Sequence, residues 1–288
     1  MVASGGGQAS LIGRSLGNYA VKALIGRGAV GTVYLAEDTA LNRPVALKVL
    51  LGSLAHNSDQ VRRFLREAKA AAPLHHPNIV GIYEAGIRDG TPFIAMEYVE
   101  GEPLDRMLRR RGTPLKWQTA LHIAYQVGEA LECAHAQRVV HRDVKPSNIL
   151  LDHQGKVRLT DFGIARVRHQ DASLEEQTAH DVGPGMLSFL GTPEYMSPEQ
   201  CSDGKNVTAA SDLYSLGVTM YQMLSAQMPL AGKSTVSLIH AIINEKPKSL
   251  LQTVPGLPDD VSRLVAHLLE KNPEKRPASA RVVCDMIR

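Results

Sequence analysis

The stretch His141-Arg142-Asp143-Val144-Lys145-Pro146-Ser147-Asn148-Ile149-Leu150 sets an acid, a base and a metal-seeking amide between apolar runs. Polar residues confined so tightly between hydrophobic flanks mark a functional loop anchored in a core. Just upstream, Trp117 to His135 reads as a long helix, with Leu121, Ala124, Gly128, Leu131 and His135 at helical spacing. His135 reads as structural. Downstream, Val157-Arg158-Leu159 gives a short strand that ends at Asp161-Phe162-Gly163. An aspartate in a tight, Gly-terminated turn after an apolar strand is well placed to meet a metal.

The irregular stretch that follows runs to Leu190 and is too long for an ordinary connector, so it reads as functional or disordered. Gly191-Thr192-Pro193-Glu194-Tyr195-Met196-Ser197-Pro198-Glu199 closes it. Thr208 to Ala226 is apolar nearly all round, the pattern of a helix buried at the centre of a lobe. Asp212 near its start suits the helix dipole. Helices over 234–244, 259–270 and 279–287 complete this part, with Asn272 to Pro277 as the turn between the last two.

The first hundred residues have a different pattern. Tyr19 to Ile25 alternates, and Gly26-Arg27-Gly28-Ala29-Val30-Gly31 follows, then a strand over 32–37. A Gly-rich stretch followed by a strand rather than a helix argues against a dinucleotide fold. It predicts a hairpin flap whose N–H groups can approach phosphate, or else a plain Gly-rich hairpin. In the strand Pro44 to Leu50, period 2 puts Ala46 and Lys48 on one face and Val45, Leu47 and Val49 on the other. A lysine in so apolar a strand needs an anionic partner. Glu67 is the candidate, at the edge of the stripe Val61, Phe64, Leu65 and Ala68 in a helix over 58–72. Strands over 79–84 and 92–97 then give a five-stranded antiparallel sheet with one helix.

Composition narrows the class. A chain of 288 residues, 44% hydrophobic and 21% charged, suits one large domain or two lobes sharing a cleft. A net charge of +3 does not argue for nucleic acid, and the run Arg109-Arg110-Arg111 reads as a solvated helix end. Cys133, Cys201 and Cys284 lack metal spacing and fit reduced thiols. No apolar run reaches the roughly 18–20 residues of a membrane helix, and no membrane contact is expected within the chain. The expected division is a disordered lead-in over 1–17, a first lobe over 18–95, a connector over 96–101 and a helical lobe over 102–288.

The order of these signals resembles the protein kinase catalytic domain, over roughly residues 18 to 288. Gly-rich hairpin, strand Lys, helix Glu, H-R-D-x-K-P-x-N, D-F-G and a Ser-Pro-Glu stop follow one another. Lys145 resembles the serine/threonine branch. Asp161-Phe162-Gly163-Ile164-Ala165-Arg166 and Tyr195 to Gln200 look most like the bacterial eukaryotic-like serine/threonine kinases. Val144 stands where Leu is usual and Ser197 where Ala is usual, and Gly183-Pro184-Gly185 has no evident counterpart.

The resemblance implies an α+β bilobal kinase fold and ATP-dependent phosphorylation of serine and threonine hydroxyls on protein substrates; the alternative is a pseudokinase scaffold. It implies that Gly26, Gly28 and Gly31 cover the phosphates and that Lys48, fixed by Glu67, holds them. Asn148 and Asp161 would bind Mg²⁺, with Mn²⁺ possible; Asp143 would orient the substrate hydroxyl, and Lys145 would neutralise the transferred phosphate. Val33, Ala46 and Leu150 would sandwich the adenine, with Met96 behind it and the backbone of Glu97 and Val99 at its edge, and Ile25 would also contact the nucleotide. Arg142 would answer a phosphate on Ser173, Thr178 or Ser188, with Thr192 ordering the catalytic loop. Asp212 would brace that loop, and Glu199 would pair with Arg276. Family analogy adds a possible homodimer and a cytoplasmic location, or the intracellular part of a membrane-anchored parent.

Overall fold

A computed structural model of the chain describes residues 10–28, 31–50, 52–162, 193–202 and 206–288. It divides into two compact units, one ending at Glu100 apart from a four-residue segment, His76–Ile79, that belongs to the other.

The first unit is built on an antiparallel sheet in the order β1-β2-β3-β4-β6-β5. The strands are β1 (Ser15–Leu16), β2 (Tyr19–Arg27), β3 (Thr32–Asp38), β4 (Arg43–Val49), β5 (Ile82–Arg88) and β6 (Thr91–Glu97). Alternation decides what each face carries. Tyr34, Ala36, Val45, Leu47, Val49, Phe93 and Ala95 form one buried cluster with Tyr19 and Val21. The register sets Val33 opposite Lys48 and Ala46 opposite Met96, so these four share the other face. Two short helices follow β4, α1 (Ser53–His56) and α2 (Ser58–Ala71). Asn57 caps α2, its side chain accepting from the N–H groups of Asp59 and Gln60. Val61, Phe64 and Ala68 are its buried stripe.

Three details differ from the sequence expectation, the first being the four-residue α1 ahead of the one helix expected. The sheet has six strands rather than five, because Ser15–Leu16 pairs with β2 and Leu16 enters the core. The strand expected over 79–84 begins at Ile82, because Ile79 belongs to the second unit and bridges Leu159 there. Asn78 explains the diversion. Its side-chain amide donates to Gln126 Oε1 and the Val157 carbonyl, and its own carbonyl accepts from Leu159 N–H.

The second unit is mainly helical. It opens with β7 (Gly101–Pro103), α3 (Leu104–Arg111) and α4 (Trp117–Ala136). Strands β8 (Ile149–Asp152) and β9 (Val157–Leu159) complete a small sheet in the order β7-β8-β9. Then come α5 (Pro198–Ser202), α6 (Ala209–Ser225), α7 (Thr235–Asn244), α8 (Leu250–Thr253), α9 (Asp259–Leu268) and α10 (Ala280–Ile287). The centre is α6, buried on every side as its composition requires. It packs against α4 and α9. No helix among the described residues is long and apolar enough to cross a membrane.

Candidate active site

The loop between α4 and β8 is held by its backbone. Asp212, fully buried in the first turn of α6, accepts three hydrogen bonds. Its Oδ2 takes His141 N–H at 2.8 Å and His135 Nε2 at 2.8 Å, and its Oδ1 takes Arg142 N–H at 2.7 Å. Arg142 sits at φ 67°, a left-handed conformation that a β-carbon disfavours. Its N–H is tied to Asp212, and its carbonyl accepts from Gln200 Nε2 at 2.8 Å. Gln200 in turn accepts Ser197 N–H through Oε1 at 3.0 Å. The loop is therefore clamped from α5 and from α6.

His141 completes the frame. It is fully buried, and its ring packs 4.5 Å from that of Phe162. Nδ1 faces the Asp143 N–H at 3.2 Å, so it must accept; Nε2 lies 2.9 Å from the Thr160 carbonyl and donates to it. Both nitrogens are thereby committed, with the proton on Nε2. This histidine anchors the loop and is not available as a base.

On that frame three side chains converge. Asp143 Oδ2 lies 2.8 Å from Lys145 Nζ and 3.0 Å from Asn148 Nδ2, which also donates to the Asp143 carbonyl at 2.8 Å. A 3-10 turn over Pro146–Asn148 sets the spacing, closed by Asn148 N–H to the Lys145 carbonyl. With its amide nitrogen engaged by Asp143, Asn148 turns its amide oxygen the other way. The Asn148 carbonyl accepts from Thr160 N–H, which links this turn to the residue before Asp161. Asp161, at φ 63°, is the second non-glycine residue here in the left-handed region. Strain of this kind persists where the surroundings over-determine it, and it concentrates at functional sites.

The residues expected to contact a nucleotide divide between the units. Ile25, Gly26, Gly28, Gly31, Val33, Ala46, Lys48, Met96, Glu97 and Val99 lie in the first, and Leu150 lies in the second, on β8. Gly26 lies within β2, and Gly28 N–H donates to the Gly31 carbonyl beyond its end. The three glycines do not serve alike. A β-carbon on Gly31 would sit 2.4 Å from the Val49 carbonyl, so glycine is required there by close approach to β4. At Gly26 and Gly28 a β-carbon meets only ordinary contacts, at 3.9 and 3.8 Å. Lys48 is buried, and the Glu97 N–H is held by the Gly81 carbonyl at 2.8 Å. The Glu67 side chain, Gly163, Ser173, Thr178, Ser188 and Thr192 lie outside the described residues.

After the segment that contains those sites, the chain is anchored again. Tyr195 O–H donates to Gln222 Oε1 at 2.7 Å, and Ser215 donates to the Tyr195 carbonyl. Burial pushes the Tyr195 hydroxyl up to about 12, which keeps it a donor at neutral pH. Glu199 and Arg276 form the expected buried pair at 2.7 and 2.9 Å. Arg276 also donates to the carbonyls of Ala210, Glu270 and Lys271, so its fork is well satisfied. Gln200 is the functional contact that the sequence reading did not single out. It joins residues far apart in sequence, and no local spacing signals such a link.

Comparison with known proteins agrees with this arrangement. The protein kinase domain family matches residues 19–286. The chain is 39% identical over 271 residues to the serine/threonine-protein kinase PrkC of Bacillus subtilis, covering 94% of this chain and 40% of that protein. It is 39% identical over 276 residues to PknA of Mycobacterium tuberculosis, covering 94% of this chain and 61% of that protein. It thus spans roughly two to three fifths of these curated relatives. Among solved structures, the PknI kinase domain of Mycobacterium tuberculosis matches with a TM-score of 0.75 at 29% identity, over 96% of this chain and 97% of that one. By its sequence, its architecture and its clamped catalytic loop, the chain belongs to the protein kinase domain family.

Proposed function

We propose that the chain transfers the terminal phosphoryl group of ATP to serine and threonine hydroxyls on proteins. The observation that carries this reading is Asp143, whose carboxylate is held by Lys145 and Asn148 on an otherwise fixed loop. In-line transfer needs an acceptor hydroxyl oriented for attack and charge neutralised on the moving group. Asp143 orients that hydroxyl and takes up its proton, while Lys145 offsets the charge. Lys48 is the lysine expected to hold the other phosphates.

Asn148 and Asp161 suit a hard divalent cation, Mg²⁺ or Mn²⁺. Their oxygens are the right donors, and the Asn148 amide oxygen is turned away from Asp143. With two protein ligands, phosphates and water would supply the rest of the cation's coordination. Bound there, the cation would neutralise phosphate charge. The pseudokinase alternative is not favoured, since Lys48, Asp143, Asn148 and Asp161 are all present.

Regulation belongs to the same reading. Arg142, the cation beside Asp143, is suited to a phosphate added at Ser173, Thr178 or Ser188. Pairing of two copies through the first unit and a cytoplasmic setting are further parts of the proposal. Incubation with labelled ATP, Mg²⁺ and a generic protein substrate tests the whole. Wild type should incorporate phosphate on Ser and Thr, and Asp143→Asn should lower turnover by about 10²–10⁴. Equal turnover by the variant would remove Asp143 from the chemistry.

A further inference from the structure

A small cavity lies between helix α9 and the loop that follows α7, wholly within the second unit. It encloses about 210 Å³, less than the roughly 300–1,000 Å³ of sites for drug-sized ligands, so it suits a compact one. Val265 and Leu269 give it an apolar wall. Three lysines line it, Lys246 and Lys248 from the loop and Lys271 from just past α9. Glu270 is the one acid among the described residues that line it. Positive charge therefore predominates, and a compact anion is the ligand it favours.

The three lysines are not alike. Lys246 and Lys248 are exposed. Lys271 is half-buried, and its Nζ donates to the Ile242 carbonyl at 2.6 Å, which fixes the amine and directs its lone pair elsewhere. Its carbonyl accepts from Arg276, which ties the residue to the buried pair with Glu199. Nζ also lies 5.8 Å from the centre of the Tyr214 ring. Burial, and then the Arg276 charge, push this amine down to about 8, against the weaker opposite pull of Cys201 and Glu245. About a tenth of it is then uncharged at pH 7, against roughly one part in three thousand for an ordinary lysine. A lysine desolvated beside another cation is an activated nucleophile.

We propose that Lys271 is a site of acylation by small acyl phosphates, which Lys246 and Lys248 hold in this cavity. An acyl phosphate matches both features: a phosphate for the exposed lysines and an electrophilic carbon for the fixed amine. The uncharged amine attacks the acyl carbon. The N–C bond forms, the C–O bond to phosphate breaks with its electron pair leaving on phosphate, and the proton shed by nitrogen passes to water. The product is an amide, so the charge beside Arg276 is lost. The inference stands apart from the kinase reading above.

Acetyl phosphate is the probe, with the whole chain and acetylation of each lysine followed by mass spectrometry. At pH 7 and low salt, Lys271 should react at least about tenfold faster than the exposed Lys233 and Lys275. Its rate should level off above about pH 8, where the amine is already uncharged. Replacing Lys246 and Lys248 together by Gln should slow Lys271 about fivefold toward acetyl phosphate, the effect of two screened surface charges. Its reaction with a neutral acetylating ester should not change, which also serves as the control for folding. Lys271 reacting no faster than the exposed lysines would overturn the site. An unmoved acetyl phosphate rate in the double variant, or an equal fall with both reagents, would overturn the anion-holding cavity.

Discussion

Replacing Asp212 by Asn changes one atom in a fully buried side chain, yet it should cost more than most core substitutions. The carboxylate serves three donors with two oxygens: His141 N–H and His135 Nε2 on Oδ2, and Arg142 N–H on Oδ1. An amide offers a single oxygen. Whichever way it turns, an NH₂ group faces at least one backbone N–H that has no other acceptor. A buried donor left unmatched costs about 1–3 kcal/mol, and a hydrogen bond to a charged group contributes about 1.5–3 kcal/mol. A net loss of roughly 2–4 kcal/mol follows. For a unit of this size that lowers the thermal midpoint by about 6–12 °C. Turnover should fall further than stability suggests. Arg142 is held at φ 67° by this contact, and a left-handed non-glycine residue relaxes when its restraint goes. Relaxation there displaces the next residue, Asp143. Calorimetry together with a peptide assay below the midpoint separates the two effects. A variant that melts within 1 °C of wild type and turns over normally would refute the clamp.

Two further outcomes follow from other contacts. Burial pushes the Glu199 carboxyl up, but hydrogen bonds from Arg276 and Ser211 and the Arg276 charge outweigh it and hold it below its usual 4.5. Its stabilisation is thus present above the unfolded value and lost as pH falls through the folded one; Glu199→Gln should erase that acid-side loss in urea titrations and cost about 3–5 kcal/mol at neutral pH by leaving Arg276 buried without its partner. Gly31→Ala should destabilise the first unit in hydrogen exchange, since its β-carbon would lie 2.4 Å from the Val49 carbonyl, whereas Gly28→Ala should not; the reverse order would show that the hairpin glycines are needed for another reason.

What could be read from the sequence was what depends on short spacings. The loop motif names Asp143, Lys145 and Asn148 because a turn over Pro146–Asn148 brings together residues no more than five apart. Strand parity put Ala46 on the face of Lys48, and helical period marked α4 and α6. The misses involve elements too short to show a period or contacts too distant to show a spacing. Ser15–Leu16 is two residues long and was read as part of the lead-in. Helices α5 and α8 have five and four residues. Ile79 continues an apolar run into β5, yet its backbone pairs with Leu159, because a single Asn78 bonds to α4 and β9. Gln200 belongs with these. Its amide is nearly buried, and its partner Arg142 lies 58 residues away.

These distant contacts share a logic. The chain between Phe162 and Pro193 is bounded by fixed posts. On one side stand Asp161 and Phe162, the latter packed on His141, which is itself tied to Thr160 and Asp212. On the other, Tyr195 is bonded to Gln222 and Ser215, Glu199 to Arg276, and Gln200 to the Arg142 carbonyl. The first post bears on His141 and the second, through Gln200, on its neighbour Arg142. On the regulatory reading proposed above, a charge added between residues 162 and 193 would act on Asp143 through the side chain of its neighbour Arg142. A phosphate switch of the kind proposed would need such a rigid frame with a cation beside the catalytic carboxylate, and a phosphate to pair with it.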